Sequence, residues 1–492
     1  MYSARLSIGS VSKKAGNFSF LGKRLAHSHA LSNTVHDIVA HSGTAKEGES
    51  VTVKGHIRNV KTMKSHAFID VSDGATHHAV NILLPDPKLT TDLHLKVGQA
   101  VEVVGEFKKS EVKDNVNEIH CKEMTVIGNV PDKYPIQKKA TSMDFLRTLP
   151  TLRHRTATVA SVFRFRSYLE GCFMDFFRSE SFIKVSPPTL TSSDCEGAGE
   201  LFYVGSTGKK NFFKKNAYLT VSTQLHLEVL AASLNRVWTL TPCFRAENSD
   251  TNRHLSEFWM LEAEISHVEH VHQLTQFAQK MLQSVVQSKG EASKTVVGGF
   301  EDMSSSYRSQ EKVDILSQRW NTLLEDQQWP TITYKQALEI INENKGQETE
   351  LQWGDTLTTE HEKWLAGTHF QKPVFVTDYP KFQKPFYMRQ SSPDVYDSEQ
   401  PTVACFDLII PEIGELIGGS LRIHDYQELT REIESRGMDK KALDWYIGLR
   451  ENGTVPHGGF GMGFERLVMY LSAQDNIRDV IAFPRFPGSC NC

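Results

Sequence analysis

The chain has 492 residues, a mass of 55.5 kDa, 39% hydrophobic and 23% charged residues, and a formal net charge of −4 at pH 7. That length accommodates about two or three domains whose cores need neither disulfides nor metals for stability. The near balance of charge excludes a nucleic-acid field over the whole surface and leaves only local patches; no stretch approaches the roughly 20 apolar residues of a membrane span, and seven scattered cysteines without a convincing CxxC pair read as reduced thiols.

Residues 1–36 contain no acidic residue, while Arg5, Lys13, Lys14, Lys23 and Arg24 punctuate a Ser-rich background. This is the composition of an organelle transit segment, and it lacks the continuous apolar run of a secretory signal. From Val51 to Val126 the runs VTVKGHIRNV, HAFIDVSDG, HHAVNILLP, QAVEVVGEF and IHCKEMTVIG alternate between Gly and Asp turns. Five such strands predict a small barrel over 45–128. Residues 129–150, Pro- and Lys-rich, read as a hinge into a second domain over 151–492.

In that domain Val159, Val162, Phe163, Phe173, Phe176 and Phe177 recur at helical intervals, and the helix feeds SFIKVSPPTLTSS, which carries Pro188. SDCEGAGELF follows, rich in small residues and containing Glu196. Within YLTVSTQLHLE, Ser222 and Gln224 are two apart and point the same way on an extended segment.

Residues 237–265 concentrate groups that are costly to bury. Thr239, Thr241, Cys243 and Arg245 share one face of a predicted strand, and Phe258, Met260, Glu262 and Glu264 share one face of the next. The polar loop between them adds Glu247, Arg253, His254 and Glu257. Forked guanidinium donors suit phosphate, an aromatic face stacks a base, and carboxylates hold an amine or a cation. The pattern outlines a nucleotide site.

Residues 270–370 read as an insertion with outer helices at HVHQLTQFAQKMLQSVVQ and VDILSQRWNTLLEDQQ, without evident chemistry. In ACFDLIIPEIGELIGGSLRIHDY, Asp407 and Glu415 are oxygen donors of the kind magnesium takes alongside substrate phosphates. Strict alternation puts Glu415 and Arg422 on opposite faces, so a bulge at Gly418–Gly419 is expected to bring them together. Finally, Gly458, Gly459, Gly461 and Gly463 let backbone approach a ligand, and Arg466 falls in the first turn of the helix that follows, where the helix dipole favours anions.

FRAEN followed by RHLSEFWMLEAE resembles motif 2 of the class II aminoacyl-tRNA synthetases, in the form seen in the aspartyl and asparaginyl enzymes. The helix and Pro188 resemble motif 1, VPHGGFGMGFERLVMYL resembles motif 3, and GHIRNVKTMKSHAFIDVSDG resembles the first hairpin of the subgroup's OB-fold anticodon domain. The resemblance covers residues 51–492 apart from the insertion and points to the asparaginyl branch, organellar type. It implies an α+β fold: an OB barrel, then an antiparallel six-stranded sheet flanked by helices.

By the same resemblance, asparagine is activated by ATP, with Mg2+, to asparaginyl-adenylate and the asparaginyl group is transferred to the 3′ end of tRNA(Asn), in a homodimer of the mitochondrial matrix. Arg245 would meet the α-phosphate, Arg253, His254 and Arg466 the β- and γ-phosphates, Phe258 adenine, and Glu247 its amine. Asp407 and Glu415 would hold magnesium. Glu196, Ser222, Gln224, Glu262 and Arg422 would surround the amino acid, Phe68 and Arg58 the anticodon, and Pro188 the dimer interface. Leu227 departs from the aspartyl pattern, which has a lysine there, and no glutamine follows Phe68 in the next strand to read the central anticodon base. An aspartyl enzyme and a non-catalytic RNA-binding paralogue are the two other readings. Both motif arginines and both magnesium carboxylates are present, which disfavours the paralogue.

Overall fold

The computed structural model describes residues 31–109, 117–139, 141–192, 201–206, 212–287, 297–324, 328–344, 350–392 and 399–492. Among them, strands β1 (Ser50–Thr62), β2 (Ala67–Ser72), β3 (Val80–Leu84), β4 (Ala100–Lys109) and β5 (Asn117–Gly128) close into a barrel in the order β1-β2-β3-β5-β4. Alternation does the sorting: Ala67, Ile69 and Val71 point into a core with Val53, Ile57, Ile82 and Val103, while Phe68 between them faces outward.

The transit-type segment of residues 1–36 lies largely outside the described residues. Its last residues do not: Val35–Ser42 is a helix with a capping box at Thr34, and Val35 and Ile38 are buried against the barrel. The barrel domain therefore begins near Thr34 rather than at 45, because this helix closes one end of its core. The hinge of residues 129–150 is equally tied down. Tyr134, Ile136 and Leu146 form a small core with Val159, and Arg147 donates to both carboxylate oxygens of Asp479, at 2.9 and 2.6 Å.

The larger domain is built on a sheet of eight strands: β6 (Ile183–Lys184), β9 (Arg236–Phe244), β10 (Glu257–Ser266), β11 (Thr331–Thr333), β12 (Val374–Thr377), β13 (Cys405–Ile410), β14 (Gly414–Leu421) and β15 (His457–Gly463). β7 (Leu190–Thr191) and β8 (Tyr218–Leu219) pair separately. The order is β11-β12-β13-β14-β15-β10-β9-β6. Its six central strands are antiparallel throughout, as expected; the two short outer strands, β11 and β6, add parallel pairs at the edges.

One face of this sheet is apolar. Leu261, Ala263, Phe406, Leu408, Ile417, Phe460 and Met462 pack against the helices Ala157–Ser179, Val271–Gln287, Gln310–Leu324 and Phe464–Leu471. The region 270–370, read from sequence as an outer insertion, thus supplies two helices of the main core, with Leu274, Ala278, Met281 and Trp320 fully buried. The other face carries the polar rows.

Candidate active site

Strand register assembles the site. One row runs across the sheet through Asp407, Gly418, Gly461, Glu262 and Thr239; the row beside it runs through Ser420, Gly459 and Glu264. The expected bulge exists at a different place. Leu408 pairs with Ile417 and Ile409 with Glu415, so Leu416 is the extra residue. Glycine was not needed at the bulge itself, and the extra residue beside Glu415 turns its side chain to the face that Arg422 uses.

The glycines instead clear space. A Cβ at Gly461 would sit 2.8 Å from Met260 Cε, and one at Gly459 would collide with the Glu264 carboxylate. A Cβ at Gly418 would fall 3.2 Å from Glu415 Oε1 and 3.4 Å from Asp407 Oδ1. Two carboxylates thus converge over a bare backbone position, which fits the donor set magnesium needs.

Two clefts meet here. The first, about 230 Å³, is lined by Arg245, Glu247, Arg253, His254, Phe258, Glu415 and Arg466. The second, about 240 Å³, is lined by Ser222, Gln224, Glu262, Glu264, Asp407 and Arg422. Arg245, Met260, Glu415 and Gly461 line both, so the clefts are continuous.

In the first cleft the Arg245 guanidinium lies 5.6 Å from the centroid of Phe258 and pairs with Glu247 at 3.8 Å. Arg466 donates to the Glu415 carbonyl at 2.8 Å. His254 Nδ1 is 2.6 Å from the Thr251 hydroxyl, and burial holds this ring below the usual histidine range. Burial and the neighbouring Arg466 depress Arg253, whose Nε is buried with no hydrogen-bond partner among the described residues. Crowded cations of this kind are what a polyphosphate would relieve.

In the second cleft, Arg422 grips Glu264 bidentately, Nε to Oε1 at 3.1 Å and Nη2 to Oε2 at 3.0 Å, and Nη1 donates to Ser420 at 2.7 Å. Glu262 accepts from the hydroxyls of Ser222 and Thr223 and from the backbone N–H of Thr223. Burial pushes its carboxyl up, and those hydrogen bonds pull against it. Lys384 donates to Asp407 Oδ2 at 2.7 Å, yet burial and Glu415 keep Asp407 above its ordinary value.

Three residues of this neighbourhood were not singled out from sequence. Lys384 sits in KFQKPFY, which carries no periodic or motif signal. Glu362 comes from the helix Thr359–Trp364 and accepts the backbone N–H of Glu415 at 3.0 Å; burial and Glu415 push its carboxyl up to about 7. Glu465, one residue before Arg466, receives Arg166 at 2.7 Å and the backbone N–H of Trp259 at 2.8 Å. One buried carboxylate thereby joins the elements resembling motifs 1, 2 and 3.

Of the remaining sequence candidates, Glu196 lies outside the described residues. Pro188 is exposed, between β6 and β7. Phe68 lies outward on β2, directly opposite Lys61, with His66 edge-on at 5.0 Å. Arg58 is not beside it. It occupies the irregularity between Ile57 and Asn59, and its Nη1 donates to the carbonyl of Arg155, a contact between the barrel and the larger domain.

A family model described as tRNA synthetases class II (D, K and N) matches residues 142–487. The chain belongs to this family. As a class II synthetase it is 42% identical to the mitochondrial asparagine–tRNA ligase of Saccharomyces cerevisiae, over 95% of this chain and 98% of that one. It is 39% identical to the asparaginyl-tRNA synthetase of Mus musculus, over 90% of this chain and 91% of that one. In structure it is similar to asparaginyl-tRNA synthetase of Pyrococcus horikoshii complexed with asparaginyl-adenylate, with a TM-score of 0.80, 28% identity, and 94% and 100% of the two chains covered. The synthetase's OB barrel and antiparallel sheet are the architecture of that neighbour.

Proposed function

We propose that this class II synthetase is an asparagine–tRNA ligase of the mitochondrial matrix, activating asparagine with ATP and passing it to the 3′ end of tRNA(Asn). The observation that carries the reading is the continuity of the two clefts: a cationic, aromatic-backed compartment opens at Arg245 into one floored by Arg422, Glu264 and Glu262. A nucleotide in the first and an amino acid in the second would have their reacting ends meet at Arg245. Asparagine–tRNA ligases among the similar proteins support the substrate.

The chemistry follows from placement. The asparagine carboxylate attacks the α-phosphate in line, one P–O bond forms as the bond to pyrophosphate breaks, and Arg245 neutralises charge on the reacting phosphate. Arg253, His254 and Arg466 hold the departing pyrophosphate, while Phe258 stacks adenine and Glu247 accepts from its amine. Asp407 and Glu415 would hold magnesium, which supplies further neutralisation of the phosphates when bound. A ribose hydroxyl of the terminal adenosine then attacks the adenylate carbonyl and AMP leaves. No side-chain nucleophile is required.

Two assignments are finer. The acid-free stretch ahead of the helix Val35–Ser42 acts as an import segment, supported by its composition and by mitochondrial relatives from Saccharomyces cerevisiae and Schizosaccharomyces pombe; a reporter fused to it should enter mitochondria. A homodimer through the Pro188 region is supported by exposed Ile183 on β6, the open edge of the eight-stranded sheet, and exposed Leu190 on the neighbouring β7, and light scattering should give about twice 55.5 kDa. The deciding experiment is ATP–pyrophosphate exchange. Asparagine should drive it and aspartate should not; exchange driven by aspartate overturns the reading.

A further inference from the structure

Beneath the amino-acid compartment lies a buried polar cluster that the reaction above does not use. Glu228, on the helix Gln224–Leu234, has no exposed surface on its side chain. Its Oε2 accepts from Arg450 Nη2 at 2.5 Å and lies 2.9 Å from His457 Nε2, and Tyr446 donates to both oxygens at 3.0 and 2.8 Å. Burial pushes this carboxyl up, but Arg450 and then His457 outweigh it and hold Glu228 well below the ordinary carboxylate range. Possible ligand atoms of Glu228, Glu264 and His457 lie within 4.8 Å of one another. A cation has no call on them, because Arg450 already neutralises Glu228 and Arg422 neutralises Glu264.

One bond leads out of the cluster toward substrate. Gln224 Nε2 donates to Glu228 Oε1 at 3.1 Å, one turn along the same helix, and Gln224 lines the amino-acid compartment. An ionised carboxylate has only acceptors, so the group facing it must be the carboxamide nitrogen. Flipping the amide would set two oxygens against each other in a dry environment.

We propose that Glu228 is a positioning residue that fixes which way the Gln224 carboxamide points, turning its carbonyl oxygen to the compartment as an acceptor for an N–H of the bound amino acid. Arg450, His457 and Tyr446 are the support that keeps Glu228 ionised and in place. The compartment then offers substrate N–H groups an acceptor whose polarity is set from below. Leu227, the neighbouring position, contributes no charge to the same helix turn.

The proposal rests on the reading of this compartment as the asparagine site, and the test separates the two. Arg422→Ala should abolish saturation of pyrophosphate exchange by asparagine; if it does not, the site reading fails. Gln224→Glu should raise the KM for asparagine by about 10-fold or more while KM for ATP changes by less than about 2-fold, because carboxylate then faces carboxylate. The reciprocal pair Gln224→Glu with Glu228→Gln restores a donor–acceptor match with its direction reversed and still presents an oxygen to substrate. It should recover about 5-fold of the lost affinity. An unchanged KM in Gln224→Glu overturns the role of Glu228, as does a folded double variant, checked by thermal melting, that shows no recovery. Should the double variant not fold, Gln224→Glu alone decides.

Discussion

Both carboxylate oxygens of Glu262 accept the backbone N–H of Thr223, at 3.2 and 3.0 Å, which seats the carboxylate at the start of the helix Gln224–Leu234. An anion there is favoured by the helix dipole and by the hydroxyls of Ser222 and Thr223. Asparagine and aspartate differ by an amide in place of a carboxylate, and Arg422 would welcome either. A fixed negative charge beside it rejects the second carboxylate and accepts from an amide. Glu262→Gln should therefore lower the asparagine-to-aspartate ratio by about 10-fold or more in pyrophosphate exchange. It should also cost about 1–3 kcal/mol in stability, since the new amide sets a donor against a donor. An unchanged ratio refutes the discriminating role.

Arg245 stands where the two clefts join. With the α-phosphate seated there as proposed, removing it would take away a guanidinium contact worth about 3 kcal/mol in the transition state, or roughly 100-fold in rate. Arg245→Ala should abolish most pyrophosphate exchange and leave tRNA affinity close to wild type, because the barrel is untouched. Filter binding and exchange on the same preparation check both halves; near-normal exchange removes Arg245 from the reaction.

The parts legible in sequence were those written in alternation. Phe258, Met260 and Glu262 shared a face on paper, and the register with Cys243, Thr241 and Thr239 puts them there. Barrel strands and the helix Ala157–Ser179 were equally plain, because burial repeats along each of them. What escaped was long-range. Glu362 meets Glu415 across 53 positions, and Lys384 meets Asp407 across 23; neither pairing leaves a periodic trace. The bulge was foreseen but put on glycines, whereas the ladder skips at Leu416, a residue whose side chain belongs to the core. Arg58 looked like a phosphate ligand because charge on a barrel strand suggests RNA. Only the packed structure shows its side chain drawn to the Arg155 carbonyl.

Phe68 is different, since its outward position beside Lys61 leaves an aromatic face and a cation on the barrel surface. Stacking of one unpaired base on such a ring is worth about 1–3 kcal/mol. Phe68→Ala should weaken tRNA binding by about 5- to 100-fold, with pyrophosphate exchange unchanged. An unaltered Kd for tRNA excludes the ring as a stacking platform.

Asp302 ties the barrel to the catalytic domain. It receives Arg164 Nε at 2.6 Å and the backbone N–H of His77 at 3.0 Å, and Arg164 also donates to the carbonyl of Gly74 at 2.8 Å. Burial would raise this carboxyl, but the hydrogen bonds from His77 and Arg164 hold it well below the ordinary carboxylate range. A depressed value in the fold means that ionised Asp302 adds stability above its unfolded value of about 4, and that this contribution fades as pH falls further toward the folded value. Asp302→Asn should therefore destabilise by about 2–3 kcal/mol between pH 5 and 8, with the deficit narrowing below pH ~4. Aminoacylation should suffer more than pyrophosphate exchange, because the transfer step depends on holding the anticodon barrel and the active site at a fixed separation. Urea melts of both proteins across the pH range supply the check: a deficit that stays constant down to pH ~3 would show that Asp302 does not act through its charge.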